Sequence, residues 1–406
     1  MDLTLHDVRL AGAPAELVDI GIADGKIVAV AKGLPRDGKL IDGEGRLAVP
    51  GFCESHIHLD KSCILDRCTM TGGIEGAIAE VGRLKAAFSE EDVAERASRT
   101  LEKAVLQGTQ KMRTHVEVDP VIGLRGYEGV KAAIARWAWA IDVEICVFPQ
   151  DGMTNNPGTE ELMAKVLEDG AMVVGATPYT DTNPKAQIDR VFNLARRFDV
   201  DIDMHLDFGT DPENLDVEHV ARRTEEYGWG GRVTAGHVTR FTALSPSALT
   251  DLSRRLADVG VAITVVPSTD LFLMHRGSDL VDPPRGVTPL HLMAAEGVTC
   301  SLSTNNVLNP FTPYGDCSLI RMANLYANIA QLGSPASLAE CLAMVSTDAA
   351  RLMNLEGYGI GVGNAADLVL LDAADPAMAV AELAVPMLGV KDGRPTFARE
   401  RARLFG

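Results

Sequence analysis

The stretch Pro50-Gly51-Phe52-Cys53-Glu54-Ser55-His56-Ile57-His58-Leu59-Asp60 decides how this chain is read. Pro50-Gly51 is a turn dipeptide that ends one strand-like run and opens another. The new run carries two histidines two residues apart. Alternate residues of a strand face the same side, so His56 and His58 project together, and two imidazoles so placed can grip one metal ion. An H-x-H pair alone is a weak signal, because it occurs by chance. Its flanks, Pro50-Gly51-Phe52 before it and Leu59-Asp60-Lys61 after it, make it far more specific.

Upstream, residues 2–50 read as short strands. Asp19-Ile20-Gly21-Ile22-Ala23 and Lys26-Ile27-Val28-Ala29-Val30 are joined by Asp24-Gly25, a good hairpin signal. A third run, Arg46–Val49, stops at Pro50. Downstream of Phe52, strand-like and helix-like stretches alternate. The candidate strands are 52–58, 111–117, 143–149, 171–176, 201–207, 232–237, 261–266 and 298–304. Amphipathic segments such as 184–199 and 245–258 lie between them, and 76–107 is long enough for more than one helix. Helical segments at 315–332 and 336–352 close the block. Eight strands with helical spacers predict a closed parallel α/β barrel. After Leu355 the chain returns to strands, and Val390-Lys391-Asp392-Gly393-Arg394 reads as another hairpin. The β-rich ends, 1–51 and 356–406, are expected to pair into one small domain beside a barrel over 52–355.

The bulk numbers agree with this layout. A chain of 406 residues suits a barrel of roughly 250–300 residues plus a companion domain. Hydrophobic content of 46% with 23% charged residues is that of a globular protein, not a disordered one. Runs of about 18 apolar residues are missing, so no membrane partner is expected, and the early Asp2, His6 and Asp7 argue against a signal peptide. The net charge of −18 argues against nucleic acid, which needs a concentrated positive field. Seven scattered cysteines form no C-x-x-C pair, so the expected setting is cytoplasmic with reduced thiols.

Further histidines fall at strand ends, on the face where barrels place their chemistry. His205 lies at the end of the fifth strand candidate, in Asp201–Asp207. His237 ends the sixth, in Val233-Thr234-Ala235-Gly236-His237, and His115 ends the second, in Arg113-Thr114-His115-Val116-Glu117. A lone strand-end histidine is more often packed or solvated than a ligand. His56, His58, His205 and His237 together weigh against that reading. His6, His219, His275 and His291 lie elsewhere and take the ordinary one.

With these residues in place the chain resembles the amidohydrolase superfamily, in the branch of cytosine deaminase and N-isopropylammelide amidohydrolase. The likeness spans nearly the whole chain. It runs from Pro50-Gly51-Phe52 and His56-Ile57-His58-Leu59-Asp60 through Arg113-Thr114-His115-Val116, Phe148-Pro149-Gln150, His205 and Thr234-Ala235-Gly236-His237. It continues in Asn309-Pro310-Phe311, Pro313-Tyr314-Gly315 and Gly363–Val369. The resemblance implies a distorted (β/α)8 barrel flanked by a β-sandwich built from both termini. It also implies one divalent metal, Zn²⁺ or Fe²⁺, that activates water to attack a ring C–N centre.

In that family the metal is held by the H-x-H pair, the strand-five histidine and an aspartate ending strand eight, which also takes a proton from water. Here Asn305, in Leu302-Ser303-Thr304-Asn305-Asn306-Val307, stands at that position. An amide oxygen ligates weakly and accepts no proton near neutral pH. The implied metal set is therefore His56, His58, His205 and Asn305. The glutamate that cytosine deaminases carry three residues past the histidine is Phe208 here. The histidine that the isopropylammelide branch carries two residues past it is Asp207.

Asp207 shares the strand face of His205 by the two-residue alternation, so Asp207 and His237 are the expected proton-transfer residues. The competing reading makes Asp207 a strand-end aspartate, either in solvent or capping the next helix. Lys61 and Gln150 are expected to orient a planar ring, and His115 to line the same mouth. Phe272–Arg276 either enters the mouth, bringing Arg276 to an anionic group, or is a surface loop. The leading expectation is hydrolysis of a C–N bond in a small cyclic amide, amidine or N-substituted heterocycle, by an enzyme expected to be a homo-oligomer. Two alternatives stay open: a metal-independent hydrolase or lyase on the same scaffold, and a non-catalytic small-molecule binder.

Overall fold

The computed structural model describes residues 1–36, 38–70, 72–278, 280 and 283–405; Gly406, the last residue of the expected terminal domain, lies outside them. Eight parallel strands run in sequence order: Phe52–Ile57, Thr109–Glu117, Asp142–Phe148, Val173–Val174, Asp201–Leu206, Val233–His237, Val261–Val265 and Cys300–Leu302. The last returns to the first through a parallel bridge between Ile57 and Asn305. There the His58 amide donates to the Asn305 carbonyl at 2.9 Å, and the Asn305 amide to the His56 carbonyl at 3.0 Å. Closure thus occurs at residues expected to form the site, and it draws Asn305 against the H-x-H pair.

The barrel is distorted where strands are short. The fourth keeps only two ladder residues, against the expected 171–176, and the eighth three, against 298–304. Past the fourth strand, single backbone bonds continue the pairing, from the Gly175 amide to Val147 and from the His205 amide to Ala176. A Cβ on Gly175 would stand 2.6 Å from the Asp203 carbonyl, so only glycine permits this approach.

Local sequence explains the spacers. Asn183 and Ser245 accept from the Ala186 and Ala248 amides, starting Pro184–Phe198 and Pro246–Val259, each with proline at its first position. The long first spacer divides into Ile74–Lys85 and Glu90–Leu106, the second capped by Ser89. The expected single helix over 336–352 is two, Pro335–Ala343 and Thr347–Leu352. Ser346 leaves helical geometry between them, with φ −138°, and its hydroxyl turns back onto the Leu342 carbonyl at 2.7 Å.

The chain ends meet in a second, mostly antiparallel sheet. Leu368–Leu371 pairs with Leu47–Pro50, which in turn pairs with Leu3–Leu10. Both expected hairpins form. Asp24-Gly25 and Asp392-Gly393 all have positive φ, the twist that two-residue turns need. Leu3, Leu5, Ile20, Ile22, Leu368, Leu370 and Val390 form this sheet's own core. Gln110, on the second barrel strand, donates to the carbonyls of Leu368 and Val390 and so ties barrel to sheet. No described helix is long and apolar enough to cross a membrane.

Candidate metal centre and active site

The first barrel strand is wholly buried, and its alternation brings both His56 and His58 against His205. Their Nε2 atoms each lie 3.1 Å from Nε2 of His205. Two ligand nitrogens on one tetrahedral ion stand roughly 3.3 Å apart, given metal–nitrogen distances of 2.0–2.1 Å. Burial holds His56 down to about 3 and holds His58 and His205 well below the usual range. All three are therefore neutral, the form in which imidazole ligates. Asn305 adds an amide whose buried Oδ1 has no hydrogen-bond partner among the described residues. Ligand nitrogens of His56, His205 and His237 all lie within 4.8 Å of one another, and His58 joins them through its contact with His205. These nitrogens, with the unpartnered Asn305 oxygen, are a donor set that fits one divalent ion.

His56 has a supporting carboxylate that sequence reading passed over. Asp203 lies two residues before His205, on the same strand face, and that spacing was its available signal. Its Oδ1 is 3.6 Å from His56 Nδ1 and 3.4 Å from His115 Nε2, and Arg113 donates to its Oδ2 at 3.0 Å. Burial alone would raise Asp203, but His115, His56 and Arg113 hold it far below the ordinary carboxylate range. An anion on the Nδ1 side favours the tautomer that leaves His56 Nε2 free to ligate.

His115 is the first correction. It does not line the mouth; it is fully buried beneath it, with its ring centroid 3.9 Å from that of His56. Its strand continues to Glu117, so His115 sits one layer below the strand end.

Asp207 is the second correction. The alternation that should carry it beside His205 breaks, because Asp207 adopts φ 48°. Its carboxylate instead accepts from the amides of Asp216 and Val217 at 2.8 and 3.0 Å. It caps the helix Asp216–Tyr227, as the competing reading had it. Burial raises its carboxyl to about 6, but nothing in its contacts faces the histidines.

The remaining expected residues converge. His58, Lys61, Gln150, His205, His237 and Asn305 all line one recess at the C-terminal mouth. Lys61, 1% exposed, donates to Glu117 at 2.8 Å and to Gln150 Oε1 at 2.9 Å. Burial would raise Glu117, but Lys61 and Lys85 hold it down. Because Gln150 accepts through its oxygen, its NH₂ group remains to donate.

His237 has φ 69° and Val238 φ 46°, so the chain leaves the sixth strand in a conformation that costs non-glycine residues energy. The turn aims the ring at a carboxylate absent from the sequence expectation. His237 Nδ1 lies 2.8 Å from Asp270 Oδ1, and Asp270 is fully buried. Asp270 follows the seventh strand in Pro267–Leu273, on the catalytic face, which was its only signal. Burial raises its carboxyl, and His237 opposes that rise. Asn305 Nδ2 faces the other ring nitrogen, Nε2, at 3.4 Å. Phe208 stands edge-on to His237, with ring centroids 5.7 Å apart. Tyr179 also lines the recess and was not anticipated.

Comparisons with known proteins agree with this geometry. Residues 148–397 match the Amidohydrolase family. The chain is 29% identical to N-isopropylammelide isopropyl amidohydrolase of Pseudomonas sp. (strain ADP), over 97% of this chain and 96% of that one. It is 30% identical to a pterin deaminase of Rhizobium rhizogenes, over 87% of this chain and 82% of the relative. Its structure is similar to that of a 5-methylcytosine deaminase from Klebsiella pneumoniae, with TM-score 0.94, 28% identity and 99% of both chains covered.

Proposed function

Because the chain belongs to the amidohydrolase family, it is a hydrolase of carbon–nitrogen bonds other than peptide bonds, and we propose that it acts on a small nitrogen heterocycle with one divalent metal. The substrate class is a cyclic amide, amidine or N-substituted ring, the chemistry named for its relatives. The observation that carries the metal is the pair of 3.1 Å contacts that His205 Nε2 makes with the Nε2 atoms of His56 and His58. These three would hold the ion, with Asn305 Oδ1 as a fourth, weaker donor. A nitrogen-rich set of this kind suits Zn²⁺ or Fe²⁺. When bound, such an ion supplies a water that ionises near neutral pH.

The chain's own groups supply the proton transfers. A carboxylate can only accept, so Asp270 fixes the His237 proton on Nδ1 and leaves Nε2 as a base at the mouth. His237 Nε2 takes a proton from the attacking water, and Asp270 stabilises the imidazolium that results. His237 then returns that proton to the departing nitrogen. This pair takes over the work of the two carboxylates replaced by Asn305 and Phe208. Asp207 has no part in it. Lys61 and the Gln150 NH₂ group orient the ring by donating to its oxygen and nitrogen acceptors.

Asn305 favours a second reading, a barrel that hydrolyses or eliminates by acid–base chemistry without a metal. Metal content separates the two. The expected result is about one equivalent of zinc or iron, with turnover lost on chelation and restored by that metal. Metal-free protein that retained full turnover would overturn the metal reading.

A further inference from the structure

The recess that holds Lys61, His237 and Asn305 does not end at its rim. Ile74 and Leu273 line it on one side and line a second cavity on the other. That second cavity measures about 340 Å³ and is walled by Ile74, Leu273, Phe208 and Met274, with Arg276 at its edge. Phe208 lines this outer cavity, and its ring also meets His237, a residue of the inner recess, with centroids 5.7 Å apart. A glutamate at this position would have put a charge into the wall. Phenylalanine makes it apolar and continuous with Ile74 and Leu273.

The chamber wall also carries a cation. The Arg276 guanidinium stacks on Phe272 at 4.5 Å and makes one long bond, 3.5 Å, to the Met70 carbonyl. Among the described residues no carboxylate lies within ion-pair distance of it. Arg276 also lines an adjoining cavity of about 590 Å³ together with Arg285 and Arg321. Glu75, exposed in the first turn of its helix, is the acid on the chamber's described lining. Arg321 is ion-paired with Asp316 at 3.4 Å, so among the described residues it is Arg276 on the chamber wall and Arg285 in the adjoining cavity that outweigh Glu75 and favour an anion there.

We propose that this outer chamber is a substituent subsite, and that the substrate is a heterocycle bearing a short aliphatic chain that ends in a carboxylate. The ring reaches His237 and Lys61, the chain lies between Phe208, Leu273 and Met274, and the carboxylate meets Arg276. This inference rests on the heterocycle-hydrolase reading and narrows its substrate class. Planar guanidinium paired with carboxylate is the residue choice that such recognition calls for.

The test is a kinetic comparison on the metal-loaded full-length enzyme. Aminopyrimidines, amino-triazines and pterins are assayed unsubstituted, with a carboxyalkyl chain, and with the matching carboxamide chain. Each is run with wild type, Arg276→Gln and Arg276→Lys. The expected preference for carboxylate over carboxamide in kcat/KM is roughly tenfold to a hundredfold, carried in KM. It should collapse towards unity in Arg276→Gln and survive in part in Arg276→Lys. Equal use of both chains by wild type, or a preference that Arg276→Gln leaves intact, overturns the subsite while ring hydrolysis stands. Absence of turnover for every ring, substituted or not, overturns both readings.

Discussion

Gly236 and His56 touch so closely that the second dictates the first. A Cβ at Gly236 would stand 3.0 Å from His56 Cε1 and 3.1 Å from Nδ1. The ring has nowhere to recoil, because His115 lies against it with centroids 3.9 Å apart. Gly236→Ala is therefore expected to displace an imidazole proposed to hold the metal, without altering any ligand atom. The overpacking costs about 1–3 kcal/mol. Metal retention against a competing chelator should fall along with thermal stability. A variant that kept wild-type metal content and turnover would show that His56 does not hold the ion.

The His237–Asp270 contact of 2.8 Å makes Asp270→Asn the sharpest test of the proton path. An amide can present its NH₂ to Nδ1 and reverse the tautomer. General acid–base catalysis contributes roughly 10²–10⁴-fold, and kcat should drop by an amount in that range. Metal content should stay at the wild-type level, which separates a fault in proton transfer from a fault in the metal centre. Unchanged kcat would remove the pair from the mechanism.

Asp207→Ala should behave in the opposite way. Its carboxylate caps Asp216–Tyr227 through two amides, and loss of a cap costs about 0.5–2 kcal/mol. Urea unfolding should register that loss, while kcat per folded, metal-loaded molecule changes little. A drop in kcat as large as that of Asp270→Asn would return Asp207 to the catalytic role that its spacing from His205 suggests.

Asp181 links the loops after the third and fourth barrel strands near the mouth. Burial alone would raise its carboxyl, but the Thr154 hydroxyl and the amides of Asn183, Met153 and Thr154 hold it at about 2, against an ordinary 3.8. A carboxyl depressed by folding stabilises the fold above its unfolded value, and that contribution fades as pH falls towards the folded value. The acid limb of stability should therefore decline between pH 3.8 and about 2. Asp181→Asn should be less stable at pH 5 and show a flatter limb. Parallel limbs for the two proteins, followed by urea midpoints, would exclude Asp181 as the titrating group.

Much of the architecture could be read from order and period alone. Apolar runs separated by amphipathic helices imply a parallel barrel, because each strand must be covered on both faces. Asp24-Gly25 and Asp392-Gly393 marked their hairpins because positive φ is cheap for those residues. The histidines at the mouth were legible for the same kind of reason. His56 and His58 obey strand alternation, which is local, and strand order brings His205 to the same mouth.

What the chain order could not carry was anything set by a broken period or by a meeting across the barrel. Asp207 left the catalytic face because one left-handed residue reverses a side chain, and no count along the strand reveals that. Asp270 reached His237 across 33 positions, and Phe208 joined two chambers, only once the barrel had closed at Ile57 and Asn305. The sequence by itself determined the barrel, its terminal sheet and the histidines at its mouth, since alternation and helix period are properties of neighbouring residues. Tertiary structure alone decided which carboxylate serves which histidine, because that depends on backbone torsions at strand ends and on contacts between distant loops.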